Sequence, residues 1–195
     1  MRTATLTALL TLLFLTLPAR AEVTLPSVLG SHMVLQRDQP LPIWGWAAPG
    51  ESVSVTLGEV TRSTKADAQG QWRADLPPQK ATTDQQPATL TVKGADNTIE
   101  LTGILFGDVW VCSGQSNMEW SVNASANSRD EIAAADYPQI RLFQVPRRPA
   151  GEPQDDVPGT WQPCSPQTVA GFSAVGYYFG RHLHKELNVP IGLIQ

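Results

Sequence analysis

The chain has 195 residues, 42% of them hydrophobic, and a formal net charge of −4 at pH 7. That length predicts one or two domains, and that apolar content supports a packed core rather than disorder. The acidic balance argues against a nucleic-acid binder, which carries a basic face, and leaves no polybasic patch for a membrane surface.

Residues 1–21 read as a secretory signal peptide. Arg2 supplies the positive start, Ala4 to Leu17 is an uncharged apolar run, and Ala19-Arg20-Ala21 is a small-residue cleavage pattern. The run is shorter than the roughly 20 residues of a membrane span. Cleavage after Ala21 predicts a periplasmic or extracellular protein with no membrane segment after cleavage. It also removes Arg2 and Arg20, leaving the remainder more acidic.

Residues 22–102 read as strands and turns. Val53 to Leu57 and Ala88 to Val92 alternate apolar and polar residues, as half-buried strands do. Val34-Leu35 and Ile43 to Trp46 are further strand candidates. Pro49-Gly50, Gln69-Gly70 and Pro77-Pro78 punctuate the stretch, and Lys80 to Pro87 reads as a solvated loop. The absence of a helical period predicts a small antiparallel β-sandwich as the first domain.

The pattern changes at 103, where a second domain, 103–195, is expected. Ile104 to Cys112 is a nearly continuous apolar run, the mark of a strand buried on both faces in a parallel sheet. Ser113-Gly114-Gln115-Ser116-Asn117 follows as a glycine turn, and a helix is expected from Met118. Arg129 to Ala135 reads as a short helix and Ile140 to Val145 as the next strand. Pro146 to Pro166 reads as a long surface excursion. Gly176 to Leu187 is an amphipathic helix with Tyr177, Phe179, Leu183 and Leu187 available for the core. Asn188 ends it, Pro190 prevents its restart, and Ile191 to Ile194 begins another buried strand. A strand, turn, helix unit followed by two more strands predicts an α/β parallel layer, an incomplete one beside the five or more strands usual for doubly wound sheets.

Ser116 is the candidate nucleophile. A serine reacts when a base takes its proton and N–H donors meet the oxyanion. Ser116 follows a buried strand at the carboxyl end of the sheet, where open α/β sheets place their sites, and Gly114 permits the tight turn. The alternative is a helix N-cap, a frequent role for serine. The glycine spacing is not that of the G-x-S-x-G elbow, because Met118 stands where the second glycine would be.

The words of the sequence go further. Gly107-Asp-Val-Trp-Val-Cys-Ser-Gly-Gln-Ser-Asn-Met-Glu-Trp120 closely resembles the first block of the sialate O-acetylesterases and their bacterial relatives, of the SGNH hydrolase superfamily. Leu29-Gly-Ser-His-Met-Val-Leu-Gln36 resembles the start of that family's N-terminal sandwich. Ile140 to Phe143, Phe172 to Val175, Phe179 to Leu183 and Pro190 to Ile194 resemble its later landmarks. The resemblance implies a carbohydrate esterase that removes acetyl groups from sugar hydroxyls, with no metal or cofactor. It implies a β-sandwich followed by an SGNH/flavodoxin-like α/β layer with a parallel sheet. Ser116 matches the family's nucleophile. Gln115 and Asn117 flank it and shape the pocket. Gly176 corresponds to a further oxyanion donor or serves only helix entry. The implied substrate is an O-acetylated sugar, sialic acid or an acetylated polysaccharide such as acetyl xylan. The alternative is a non-catalytic, carbohydrate-binding or structural sandwich with an inactive hydrolase remnant.

The chain departs from the family pattern at its catalytic base. The family's histidine and aspartate lie towards the C-terminal side of the hydrolase domain, and none of these residues matches them. His32 falls in the sandwich, and His182 and His184 fall on one packing helix, pointing in different directions. The reading is therefore of the N-terminal part of a longer esterase, with this chain alone nearly inactive. Trp44, Trp46 and Trp72 read as sandwich core or as sugar-stacking surfaces. Asp108 reads as a site hydrogen-bonder or a strand-end residue, Glu119 as an answer to a helix dipole, and Arg147-Arg148 as a solvated pair. Cys112 and Cys164 are too few for a disulfide framework or a thiolate zinc site. A free buried Cys112 and a Cys112–Cys164 bridge both stay open.

Overall fold

The computed structural model describes residues 22–83 and 86–195. The expected signal peptide lies outside the described residues. Six short strands come first: β1 (Val34–Gln36), β2 (Leu41–Trp46), β3 (Ser52–Leu57), β4 (Val60–Lys65), β5 (Gln71–Leu76) and β6 (Ala88–Lys93). The long strand β7 (Thr98–Val111) follows, then a 3-10 turn (Val122–Ala124), α1 (Ser128–Ala133), β8 (Tyr137–Phe143), β9 (Trp161–Cys164), α2 (Ala174–Leu187) and β10 (Ile191–Ile194).

These elements form a mixed sheet with few helices. Its order is β4-β3-β6-β7-β10-β8-β9, with β1 also on β7, and β2 pairs β5 in a separate two-stranded sheet. The antiparallel half has a simple cause. Val53, Val55 and Leu57 of β3 alternate inward, as do Trp72, Ala74 and Leu76 of β5. Gly58 turns β3 into β4 at φ 57°, a conformation that favours glycine. Residues of β2 and β5 share one buried cluster with those of β3 and β6, so the small sheet packs across the antiparallel half of the large one.

β7 joins the two halves. The boundary expected at 102–103 falls inside this strand. Its upstream part pairs β6 antiparallel, and its downstream part pairs β10 parallel. The β6–β7 register slips between Leu101 and Ile104, where Gly103 sits at φ 73°. A Cβ at Gly103 would stand 2.4 Å from His32 Nδ1, so glycine is required there both for its φ and for space.

The parallel layer is β1-β7-β10-β8, with β1 and β10 both parallel to β7 and β9 antiparallel on the outer edge of β8. Parallel pairing agrees with the sequence expectation. The order does not. A flavodoxin-like sheet sets its first strand between the second and third, whereas here β10 stands between β7 and β8. The reason lies in the edges of β7, since alternate residues of a strand direct their N–H groups to opposite sides. On one side Leu105 N–H donates to Met33 O, Arg37 N–H to Gly107 O and Val109 N–H to Gln36 Oε1, at 3.1, 2.8 and 2.9 Å. β1 thus closes that edge. On the other side Asp108 N–H donates to Pro190 O and Cys112 N–H to Ile194 O, which leaves β10 as the parallel neighbour. Asp108 secures the arrangement by accepting from Arg37 Nε and Nη2 at 2.8 and 3.1 Å. It is a clamp between β1 and β7 rather than a strand-end residue.

The α2 helix covers this layer through small residues. Its buried positions are Ala174, Gly176, Tyr177 and Gly180. A Cβ at Gly180 would stand 2.7 Å from Leu193, so the helix rests directly on β10. That close approach turns Phe179 and Leu187 outward, at 41% and 49% exposure, instead of into the core as the sequence suggested. Phe179 instead meets the Trp110 ring edge-on at 5.0 Å. Tyr177, Phe172, Ile191 and Leu193 are buried in the second core, where side chains of this size stabilise by about 1.5–3 kcal/mol each.

Candidate active site

The site begins where β7 ends. Cys112 is the last buried residue of the run, and Ser113 to Asn117 are exposed. The helix expected from Met118 does not form. Met118 and Glu119 N–H donate to Gln115 O at 2.9 and 3.3 Å, and Trp120 N–H donates to Asn117 O at 3.3 Å. This is a short turn and not a helix, because Trp120 to Asn123 are drawn into other bonds. Trp120 O accepts Ala174 N–H, Val122 N–H donates to Phe172 O, and Asn123 N–H donates to Ala170 O, at 2.7, 3.0 and 3.0 Å. The segment after the turn therefore pairs antiparallel with the approach to α2 and forms only the short 3-10 turn Val122–Ala124 instead of an α-helix.

Ser116 thus stands on a loop pinned at both ends. The strand holds one side, and the α2 approach holds the other. The backbone N–H groups of Ser113, Gly114, Gln115, Ser116 and Asn117 have no hydrogen-bond partner among the described residues. Free backbone donors next to a serine are what an anionic oxygen there would require, and the turn supplies them without a helix. A Cβ at Gly114 would stand 3.3 Å from the Met118 Cβ, so glycine lets the turn close tightly.

A cleft of about 930 Å³ opens beside the turn, lined by Ser113, Gly114, Gln115, Met118 and Glu119 on one side and by Gln144, Arg147 and Thr160 among others. Glu119 and Arg147 meet at its rim, with Arg147 Nε 2.9 Å from Glu119 Oε1. Both are exposed, so the pair adds little stability. It does link the turn to the long excursion, and no sequence pattern connects those two residues. Sequence reasoning missed this contact for that reason.

Gly176 is brought to the N-terminus of α2, not to an open oxyanion position. Its N–H donates to the Ser173 hydroxyl at 3.1 Å, and a Cβ on it would stand 3.0 Å from Cys112 Sγ. It serves helix entry and close packing. The histidines are engaged elsewhere. His32 packs on Gly103, His184 Nδ1 lies 2.8 Å from Val189 O, and His182 is exposed on α2. None hydrogen-bonds Ser116 among the described residues. Cys112 and Cys164 are both free and buried. Burial raises the Cys112 thiol, and burial with the nearby Glu131 and Asp136 charges pushes Cys164 up to about 12. Neither is a ready thiolate nucleophile. No group of three or more metal-ligating side chains converges among the described residues.

Known proteins are similar to this chain in sequence. Sialate O-acetylesterases of mouse and human are 34% and 36% identical to it over 185 and 186 residues, covering 86% of the chain. By sequence, the chain is similar to the sialate O-acetylesterases over most of its own length. It spans about a third of those relatives, 34% of the mouse protein and 35% of the human one. A carbohydrate acetylesterase from Xanthomonas citri shares the fold at a TM-score of 0.84 and 38% identity, over 88% of this chain and 39% of that one. No family profile matches the chain. Ser116, Gln115 and Asn117 lie together on the pinned turn, and the Gly176 N–H is used at the start of the helix beside it. No helix among the described residues is long and apolar enough to cross a membrane.

Proposed function

We propose that this protein is an exported serine esterase that removes acetyl groups from sugar hydroxyls, with Ser116 as its nucleophile. The supporting observation is the exposed Ser116 among five unused backbone N–H groups at the carboxyl end of the parallel layer. Ser116 Oγ attacks the acetyl carbonyl carbon, and its proton passes to a base. The tetrahedral oxygen takes the Ser116 N–H and its neighbours. The C–O bond to the sugar breaks, the sugar oxygen regains the proton, and an acetyl-serine remains. Water then attacks that ester and releases acetate. Gln115 and Asn117 shape the acetyl pocket. The base and its aspartate come from polypeptide outside these 195 residues, because the three histidines present are placed elsewhere. On this reading residues 22–102 are a β-sandwich domain and residues 103–195 are the nucleophile-bearing part of the esterase domain.

The second reading, a non-catalytic carbohydrate-binding protein, draws on the same missing contact between Ser116 and a histidine. Acetate release from O-acetylated sialic acid and from acetylated xylo-oligosaccharides separates the readings and assigns the sugar. Release from one of them by the native gene product supports the esterase. Release from neither supports the non-catalytic alternative.

A further inference from the structure

The small β2–β5 sheet has an outer face that the esterase reading leaves unused. Inward positions are Ile43, Gly45, Trp72 and Ala74; outward ones are Trp44, Trp46, Gln71 and Arg73, with Trp44 opposite Arg73 and Trp46 opposite Gln71. Trp44 is 37% exposed. A cavity of about 660 Å³ lies here, lined by both tryptophans together with Lys65, Asp67, Gln71 and Arg73. Trp72 also lines it, 3% exposed, and its indole N–H has no hydrogen-bond partner among the described residues.

We propose that this face is a binding site for a neutral saccharide chain, separate from the cleft beside the Ser116 turn. Two tryptophans at alternate positions of one strand stand roughly 6.8 Å apart. Both stand on the solvent side of the strand, Trp44 exposed and Trp46 half-buried, at a spacing that suits successive sugar rings. Their spacing is rigid, because the Trp46 backbone exchanges two hydrogen bonds with Thr24 at 2.8 and 3.0 Å, and a Cβ at Gly45 would stand 2.0 Å from Thr24 O. Donors and acceptors ring the aromatic surface, as a hydroxyl-rich ligand requires. Their charges cancel. The lining holds Lys65 and Arg73 against Asp67 and Asp155, and Arg73 Nη2 also lies 2.8 Å from Asp75. That balance favours a neutral sugar over an anionic one such as sialic acid. The site places a glycan on the protein independently of acetyl chemistry.

The test is isothermal titration of the full chain carrying Ser116→Ala with cellohexaose, xylohexaose and N-acetylneuraminic acid. A proline-rich decapeptide serves as the competing class of aromatic-groove ligand. The expected result is saturable binding of at least one hexaose, shared by the parent and Ser116→Ala. Trp44→Ala and Gln71→Ala, both on the solvent side, should each weaken it, the former at least tenfold, with unchanged circular dichroism. If Trp44→Ala fails to fold, Gln71→Ala alone decides. Binding of neither hexaose, binding of sialic acid or the peptide alone, or hexaose binding untouched in the folded variants overturns the proposal. Acetate release plays no part in the readout, so failure of the esterase reading would leave it standing.

Discussion

The Ser173 hydroxyl donates to the Met118 sulfur across 3.3 Å, joining residues 55 apart in sequence. The same oxygen accepts the Gly176 N–H. One buried side chain thus caps α2 and braces the turn that carries Ser116. Ser173→Ala removes both bonds. Loss of such a cap costs about 1 kcal/mol, so the urea midpoint should fall while the fold persists. An unchanged midpoint would show that the cap is dispensable.

Glu131 carries a pH-dependent part of the stability. Burial alone would raise its pKa, but hydrogen bonds from Tyr177 and Arg181, with the Arg181 and Lys185 charges, hold it below the ordinary 4.5. The Tyr177 hydroxyl donates to Glu131 Oε1 at 2.6 Å, and Arg181 Nη1 donates to the same oxygen. A depressed carboxylate contributes stability that is fully present above its unfolded pKa and lost as pH falls through its folded one. Glu131→Gln should therefore lower the Tm at pH 7 and shrink the difference from the parent below about pH 4. A difference that grows on acidification would reverse the assignment.

Much of this fold was legible in local pattern. Ile191 to Ile194 reads as a strand and is one, and Asn188 ends α2 in the left-handed conformation at φ 50°. Ser116 and its neighbours lie on a turn after β7, as their glycine spacing suggested, but the strand expected to be buried on both faces ends in Trp110 and Val111, which are 44% and 73% exposed. What failed depends on distant partners. β9 hides inside the Pro146 to Pro166 excursion, because its Trp161 is recognisable as core only beside Phe143, at 5.3 Å between ring centroids. The helix expected at Met118 yields to backbone bonds with residues 170–174. The order of the parallel strands follows from β1 closing an edge of β7, which no periodicity reveals.

The chain by itself should hydrolyse esters very slowly. Serine without a base is a weak nucleophile, although oxyanion donors alone retain some rate over water. Turnover of an aryl acetate by residues 22–195 should fall at least a thousandfold short of the native gene product, an estimate of about 10³ or more for removal of a base. Comparable rates would return His32, His182 or His184 to consideration.

The role of Ser116 is tested most directly by acetate release from an acetylated oligosaccharide by the native gene product and its Ser116→Ala variant, with Tm recorded for both. The account predicts a rate loss of about 10³-fold or more with little change in Tm, because Ser116 is exposed and makes no hydrogen bond among the described residues. Retained acetate release with a lowered Tm would contradict it and make Ser116 a structural residue of the turn.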